Sequence, residues 1–334
     1  MTADTHTGLV LGVDGGNSKT IALVARCDGI IVGAARGGNT DIYGAGSSDV
    51  ALTALDSVVD AALEAAGAGI AEIEAAAFSM AGADWPEDMT LLEAALSSRG
   101  FGGAIVVVND ALGALRAGSV DGSGVSVVCG TGGAVGARGL DGRAWHASWW
   151  QEPQGSRHLA DKTVWAVYRA ELGMGPSTSL TRRLLQIFEQ ETVEGILHAH
   201  TARLGPRPDR HGQVTRALLR EAEGGDRMAL GIVCQHGAAL GDYAVIGARK
   251  VGIEAEPFIL VLTGGVFRHE SRVLANAVID QVRASCPKVR PVFSRFEPAV
   301  GAVLLAFDWL GVSIDDQVVA RLIGTLPPET LFAT

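Results

Sequence analysis

The sequence predicts an α/β protein of two domains, and three observations carry that expectation. Continuous apolar runs such as Ala75–Met80 and Ile105–Val108 are bounded by helical stretches, as strands inside a parallel sheet are. A strand, a Gly-rich turn and a second strand occur twice, beginning near residues 9 and 124. The chain has 334 residues, 48% of them hydrophobic and 19% charged. That length is enough for two domains of about 150 residues each.

In the first half, Leu9–Val13 and Thr20–Ala25 flank Asp14-Gly15-Gly16-Asn17, a hairpin pattern, and Ile30–Ala35 extends it to a meander. Ser47 or Ser48 caps an Ala-rich helix to about Ala66. A strand Ala75–Met80, a helix Pro86–Arg99 with Pro in its first turn, and a strand Ile105–Val108 follow. The second half repeats the opening with Gly124–Cys129, the turn Gly130-Thr131-Gly132-Gly133 and Ala134–Arg138. Helical stretches at Asp161–Leu172, Ser179–Glu189, Gln213–Glu223 and Ala229–Lys250 form an insertion over about 156–250, with the loop Gly205-Pro-Arg-Pro208 inside it. Strands Phe258–Leu262 and Val289–Phe293 and helices from about Glu270 to Ser285 and Pro298–Leu310 complete the chain. The expected division is 1–117 and 118–334. Two such domains facing each other would leave a cleft into which both Gly turns point.

Composition narrows the function classes. The aliphatic content excludes disorder, and the 44 Gly lack the three-residue period of collagen. The formal charge of −10 gives nucleic acid no electrostatic footprint. No uncharged apolar run approaches the roughly 20 residues of a membrane span, and Met1–Gly8 has no Lys or Arg to open a signal peptide. Cys27, Cys129, Cys234 and Cys286 stand far apart with no CxxC, so they read as buried apolar residues of a reducing compartment and not as metal ligands. The expectation is a cytoplasmic protein without a membrane or nucleic-acid partner.

Four turns carry chemistry. In Asp14-Gly15-Gly16-Asn17-Ser18-Lys19-Thr20 the glycines let backbone N–H groups form a nest for phosphate oxygens, and Ser18, Lys19 and Thr20 add donors. Asp14 at the strand end suits a hydrated Mg²⁺, which binds through one or two carboxylates plus phosphates. The run is neither a P-loop nor GxGxxG, and Gly-Asn chemistry equally closes an ordinary hairpin. Gly130-Thr131-Gly132 offers a second nest with the same alternative. A phosphate chain held by two domains needs a cradle from each, which favours the paired reading. Asp110, after the strand ending Val108-Asn109, fits a general base that accepts a proton from a hydroxyl attacking a γ-phosphate. It fits a helix N-cap as well. Thr263-Gly264-Gly265 lets backbone approach an adenine or its phosphates, or is a plain strand–helix turn. Last, Trp145-His146-Ala147-Ser148-Trp149-Trp150 is either a buried corner or a stacking surface for a sugar, with Glu152 and Gln154 to bond its hydroxyls. His146, His158, His198 and His200 carry no ligand geometry.

Taken in order, these residues resemble the actin, sugar kinase and heat-shock chaperone ATPase superfamily, and within it the N-acetylglucosamine kinase-like branch of the BadF/BadG/BcrA/BcrD ATPases. The matching pieces are Gly12–Thr20, Gly37-Gly38-Asn39-Thr40, Ala81-Gly82-Ala83-Asp84, Asn109-Asp110-Ala111, Gly130-Thr131-Gly132 and Thr263-Gly264-Gly265. The resemblance implies two ribonuclease H-like (actin-like ATPase) domains around a cleft, ATP and Mg²⁺ as cofactors, Asp110 as catalytic base, Asp14 assisting Mg²⁺, Asn39 and Thr40 on the sugar, and a homodimer. One departure stands out. Where the family has Gly-Asp-Glu-Gly-Ser, this chain has Glu152-Pro153-Gln154-Gly155-Ser156, which puts recognition of N-acetylglucosamine itself in question and leaves related amino sugars, other sugars or cyclitols open. The Cys patterns of the iron–sulfur dehydratase activators and of the zinc-containing bacterial sugar kinases are absent. The expectation is an ATP-dependent phosphotransferase acting on a sugar hydroxyl; the alternative is an ATPase that couples hydrolysis to a partner protein.

Overall fold

A computed structural model describes residues 8–332. Met1–Thr7, which bore on the signal-peptide expectation, and Ala333–Thr334 lie outside the described residues. The first sheet contains β1 (Leu9–Gly15), β2 (Thr20–Arg26), β3 (Ile31–Gly37), β4 (Ile73–Met80) and β5 (Ala104–Asn109), in the order β3-β2-β1-β4-β5. β2 runs antiparallel to β1 and β3, while β4 is parallel to β1 and β5. The second sheet contains β6 (Gly124–Cys129), β7 (Gly133–Arg138), β8 (Ala144–His146), β9 (Ile259–Thr263) and β10 (Arg290–Phe293), in the order β10-β9-β6-β7-β8. The two orders are the same pattern: a meander on one side of the opening strand and parallel strands on the other. The duplication expected from the two Gly-turn hairpins is therefore one of topology.

β1 shows why its apolar run is continuous. Val10 joins a core with Ile21, Leu23, Ala75 and Ala77 under α10 (Pro298–Leu310), whereas Leu11 and Val13 face the other core, with Leu55 and Val59 of α1 (Ser48–Ala66) and Leu92 and Leu96 of α2 (Pro86–Ser97). Both faces of the strand are covered, so period-2 alternation vanishes. Ser47 caps α1 by accepting from the Val50 N–H at 3.2 Å, and Gly67 closes it in the left-handed region at φ 63°. Close packing uses glycine differently. A Cβ at Gly12 would lie 2.3 Å from the backbone N of Val303, so α10 can approach β1 only because that side chain is missing. The Gly-rich composition thus serves helix-on-sheet contact as well as turns.

The chain resolves into two compact units. One takes the chain to Gly124, Gly136–His146 and the chain from Ser294; the other takes Val125–Val135 and Ala147–Phe293. The expected division at 117/118 put the C-terminal residues with the second half, whereas 294–332 group with the first. The reason is the packing of α10 on β1, β4 and α3 (Asp110–Gly118), where Val300, Val303, Leu304 and Phe307 complete the first core. α11 (Asp316–Gly324) and α12 (Glu329–Phe332) follow α10, with Val318, Leu322 and Phe332 in the same core.

In the second unit five helices fill 156–250: α4 (Ser156–Glu171), α5 (Leu180–Phe188), α6 (Val193–Thr201), α7 (His211–Glu223) and α8 (Arg227–Lys250), before α9 (Val273–Ser285). Among the described residues α8 alone is long and apolar enough to cross a membrane by length and composition. Half of its apolar window is buried, and Ile232, Val233, Leu240, Ala244 and Val245 lie in the interior. It packs against α9, α7 and α4. Cys27, Cys129 and Cys286 are buried as expected, but Cys234 on α8 is exposed, because the buried residues Val233, Gly237 and Leu240 turn the opposite helix face inward.

Candidate active site

In the first unit the carboxylates of the turns converge. Asp14 is the penultimate residue of β1 and is half-buried, and Gly15, which ends the strand, has no room for a side chain, since a Cβ there would sit 2.5 Å from Met80 Cε and 2.7 Å from Thr40 Oγ1. The Gly16 N–H donates to Lys19 O at 3.1 Å, closing the hairpin, and the Thr40 N–H donates to Gly16 O at 3.2 Å, docking the 37–40 segment on it. Thr20 and Thr40 are fully buried and their hydroxyls meet at 2.8 Å, with Thr20 also donating to Gly38 O. They brace the turn from inside; Asn17 and Ser18 are its exposed side chains. Lys19 donates to the backbone carbonyl of Phe332 in α12 while its charge still reaches Asp14.

Asp110 is where the two readings of a carboxylate at a strand–helix junction separate. The N-cap of α3 is Asn109, whose Oδ1 accepts from the Ala111 N–H at 3.1 Å, and Asp110 is the first helical residue. Asn109 also donates to Asp84 Oδ1 at 2.8 Å. The capping task therefore falls to Asn109, and burial followed by the neighbouring Asp84 pushes the Asp110 pKa up to about 7. Asp14 is also pushed up to about 7, by burial and then by the charge of Asp110. Two half-buried carboxylates, one of which raises the pKa of the other, fit a cation. No group of three or more His, Cys, Asp or Glu positioned to hold a metal occurs among the described residues, so a Mg²⁺ here would need phosphate oxygens to complete its shell.

Two acidic residues to which the sequence reading gave no role belong to this group, Asp84 having entered only as the end of a motif. Asp41, 6% exposed, receives bonds from the Asn17 amide and from the Tyr43 N–H (2.9 Å), and its charge acts on Asp110. Asn39 donates to Asn17 Oδ1 at 3.3 Å and accepts from the Asp41 N–H at 2.9 Å, so the predicted sugar residue Asn39 and the phosphate-turn residue Asn17 form one network. Asp84 is the other. Each directly follows a small-residue run, Gly37-Gly38-Asn39-Thr40 or Ala81-Gly82-Ala83, which is the signal for a role at these positions.

The second unit brings its predicted turns together as well. Gly264 (φ 103°) lies under Cys129, whose carbonyl would be 2.5 Å from a Cβ there, and the Val266 N–H donates to Cys129 O at 3.0 Å. The Gly130 N–H donates to Gly132 O at 2.8 Å, while Gly132 and Gly265 are exposed. The start of α4 clamps this turn: the Ser156 N–H donates to Gly130 O at 2.8 Å and the Arg157 N–H to Thr131 O at 3.2 Å. Gln154 is 7% exposed with its Oε1 unpartnered, whereas Glu152 is exposed, its backbone N–H donating to Tyr243 Oη at 3.1 Å and its charge reaching His158. The buried-corner reading of the Trp cluster does not hold, because Trp149 and Trp150 are 60% and 71% exposed. His200 bonds the Ile196 carbonyl on its own helix.

A doubled mixed sheet with a hairpin Gly turn at the head of each half is the actin-like ATPase fold of the sugar kinases. The profile of the BadF/BadG/BcrA/BcrD ATPase family matches residues 11–155, the segment that carries five of the motifs on which the resemblance rested. Over 305 residues the chain is 25% identical to the N-acetylmuramic acid/N-acetylglucosamine kinase of Clostridium acetobutylicum, covering 89% of this chain and 97% of that one. It is 22% identical to the N-acetyl-D-glucosamine kinase of Dictyostelium discoideum, over 90% and 98% of the two chains. Among solved structures, the ROK family glucokinase of Streptomyces griseus in complex with glucose and AMPPNP superimposes with a TM-score of 0.56 at 18% identity, over 90% of this chain and all of that one.

Proposed function

We propose that the protein is an ATP-dependent kinase that phosphorylates a hydroxyl of an amino sugar or a related sugar. The observation that carries the assignment of the base is Asp110: a half-buried carboxylate at the first position of α3, released from capping by Asn109 and poised near neutrality. Asp110 would take the proton of the acceptor hydroxyl as its oxygen bonds to the γ-phosphorus and the bond from that phosphorus to the bridging oxygen breaks, releasing ADP. The turns Gly15–Lys19 and Gly130–Gly132 supply N–H groups for phosphate oxygens, and Gly264-Gly265 supplies bare backbone for the adenosine. Mg²⁺, when bound, would neutralise phosphate charge, and Asp14 is the residue placed to hold it. Asn39 and Gln154 are the hydrogen-bonding side chains for the sugar, with Trp149 and Trp150 as exposed faces for stacking. Thr40, with its hydroxyl buried against Thr20, acts by fixing the Asn39 segment, and Glu152 is exposed enough to reach a ligand.

The sugar is bounded by the relatives, one of which acts on N-acetylmuramic acid as well as N-acetylglucosamine. Gln154 and Pro153 leave this part of the chain without the carboxylates of the family's Asp-Glu pair. Homodimerisation and a cytoplasmic location follow from the resemblance. Purified protein assayed for ADP release against N-acetylglucosamine, N-acetylmuramic acid, glucosamine, glucose and cyclitols tests the reading. Stimulation by one sugar supports it; release that responds only to an added protein supports the partner-coupled ATPase instead.

Electrostatics give a sharper test. Asp84→Asn keeps an acceptor for the Asn109 amide but removes the charge that helps hold the Asp110 pKa up. The acid limb of the pH–rate profile should therefore move to lower pH, with MgATP binding unchanged. An unmoved limb would show that the group titrating in that limb is not Asp110.

A further inference from the structure

Gly155 has φ 97° and ψ −173°, and its backbone N–H donates to Nε2 of His236, on α8, at 3.2 Å. His236 is 1% exposed. An imidazole nitrogen that accepts from an amide N–H carries a lone pair, so the ring proton sits on Nδ1, and Nδ1 has no protein partner. Burial, and then the charges of His158 and Lys162 on α4, push the His236 pKa down to about 3, so the ring is neutral. The residues that α7 and α9 bury, Val214, Thr215, Leu218, Leu219 and Ala222 on one and Leu274, Ala275, Val278, Ile279 and Val282 on the other, include no titratable group. A buried ring that leaves one nitrogen unsatisfied while presenting the other as an acceptor is a poor choice for packing alone.

What the acceptor holds is next to the turn. A Cβ on Gly155 would lie 2.4 Å from Gly132 C and 2.6 Å from Thr131 O, and the two residues after Gly155 bond the carbonyls of Gly130 and Thr131. The Thr215 hydroxyl, also buried, donates to Ser156 O at 2.8 Å and fixes the same stretch from α7. We propose that His236 is a positioning residue: by accepting the Gly155 N–H it sets the start of α4 and, through the Ser156 and Arg157 N–H groups, the shape of the Gly130–Gly132 turn for nucleotide phosphate. The proposal rests on the reading of that turn as a phosphate cradle.

The test uses side chains that differ in where they put an acceptor. In His236→Gln the amide oxygen reaches the place of Nε2, while in His236→Asn it stops near the place of Nδ1. With the full chain and MgATP in calorimetry, the Gln variant should bind within about threefold of wild type and the Asn variant about tenfold more weakly or worse, since a buried N–H loses its acceptor. The Asn variant should also melt lower, since the unsatisfied N–H costs stability, so affinities are compared at a temperature where both variants are fully folded. Equal affinities for the two variants at that temperature overturn the proposal. Gly130→Val separates this failure from that of the underlying reading. The Cβ it adds meets nothing nearer than Gly132 O at 3.9 Å, and a melting temperature near that of wild type is required before its affinity is read. If Gly130→Val leaves MgATP affinity intact, the phosphate reading and the proposal fall together; if it abolishes binding while the Gln and Asn variants match, only the role of His236 falls.

Discussion

Asp110→Asn should lower turnover by about 10²–10⁴, the loss typical of a missing general base, while MgATP affinity stays near wild type. Asn is nearly the same shape and can keep the place of Asp110 at the first position of α3, but it cannot accept the proton. The wild-type rate should fall as pH drops below about 7, because burial and Asp84 have raised the Asp110 pKa from its ordinary 3.8 to about 7 and protonation removes the base. The same shift has a consequence for stability. Between 3.8 and about 7 the folded protein keeps a proton on Asp110 that the unfolded chain releases, so this group's contribution to stability is present at low pH and is lost as pH rises through 7. Asp110→Asn carries no such charge and should melt at least as high as wild type at pH 8. Turnover of the variant close to wild type, with its acid limb unchanged, would remove Asp110 from the chemistry.

The sheets were legible because their strands are uninterrupted apolar runs with Gly or Asn turns at defined ends. β1, β2, β4, β6 and β9 all fall within two residues of their expected bounds. β8, α6, α11 and α12 were not expected: they have three, nine, nine and four residues, too short for a period of 2 or 3.6 to stand out. α9 begins at Val273 and not near Glu270, since Arg268–Arg272 continue the turn that follows Gly264. The unit with which residues 294–332 pack was hidden for another reason. It depends on the fit of Val303 against a bare Gly12, distant in sequence, and neither residue signals the other.

At the candidate site the turns were legible and the through-space relations were not. Asp110 stood out at a strand end, but whether it capped α3 depended on Asn109, whose extended backbone (φ −62°, ψ 145°) turns its own Oδ1 to the Ala111 N–H. Asp41 and Asp84 act on Asp110 across folds of the chain that no local pattern encodes. Hydroxyl residues in a Gly turn suggested donors to phosphate, yet the Thr20 hydroxyl meets that of Thr40, because Thr20 opens β2, a strand buried along its whole length except at Arg26. His236 lay in a stretch that read as plain helix, and only the fold carries its ring to Gly155.

The other large effect should come from Gly155→Ala. At φ 97° and ψ −173° the backbone occupies a region open essentially to glycine, and a side chain there costs about 1–3 kcal/mol before any contact is counted. The contacts add to it: the Cβ would lie 2.4 Å from Gly132 C, 2.5 Å from Gly132 O and 2.6 Å from Thr131 O, and all three atoms are backbone that cannot swing aside. Relief requires either the start of α4 or the Gly130–Gly132 turn to move, and both moves break the bonds from Ser156 N–H and Arg157 N–H to that turn. The variant should melt several degrees lower, given a loss of about 2–4 kcal/mol spread over a chain of this size, and its MgATP affinity should fall by at least about tenfold. Gly132→Ala is the matched control, because no heavy atom lies within 4 Å of a Cβ there and its φ is not in the left-handed region. It should melt like wild type, so a loss of MgATP affinity in it reports on the ligand side of the turn alone. If Gly155→Ala instead melts and binds as wild type does, the start of α4 does not shape the turn, and the phosphate cradle must be held by other means.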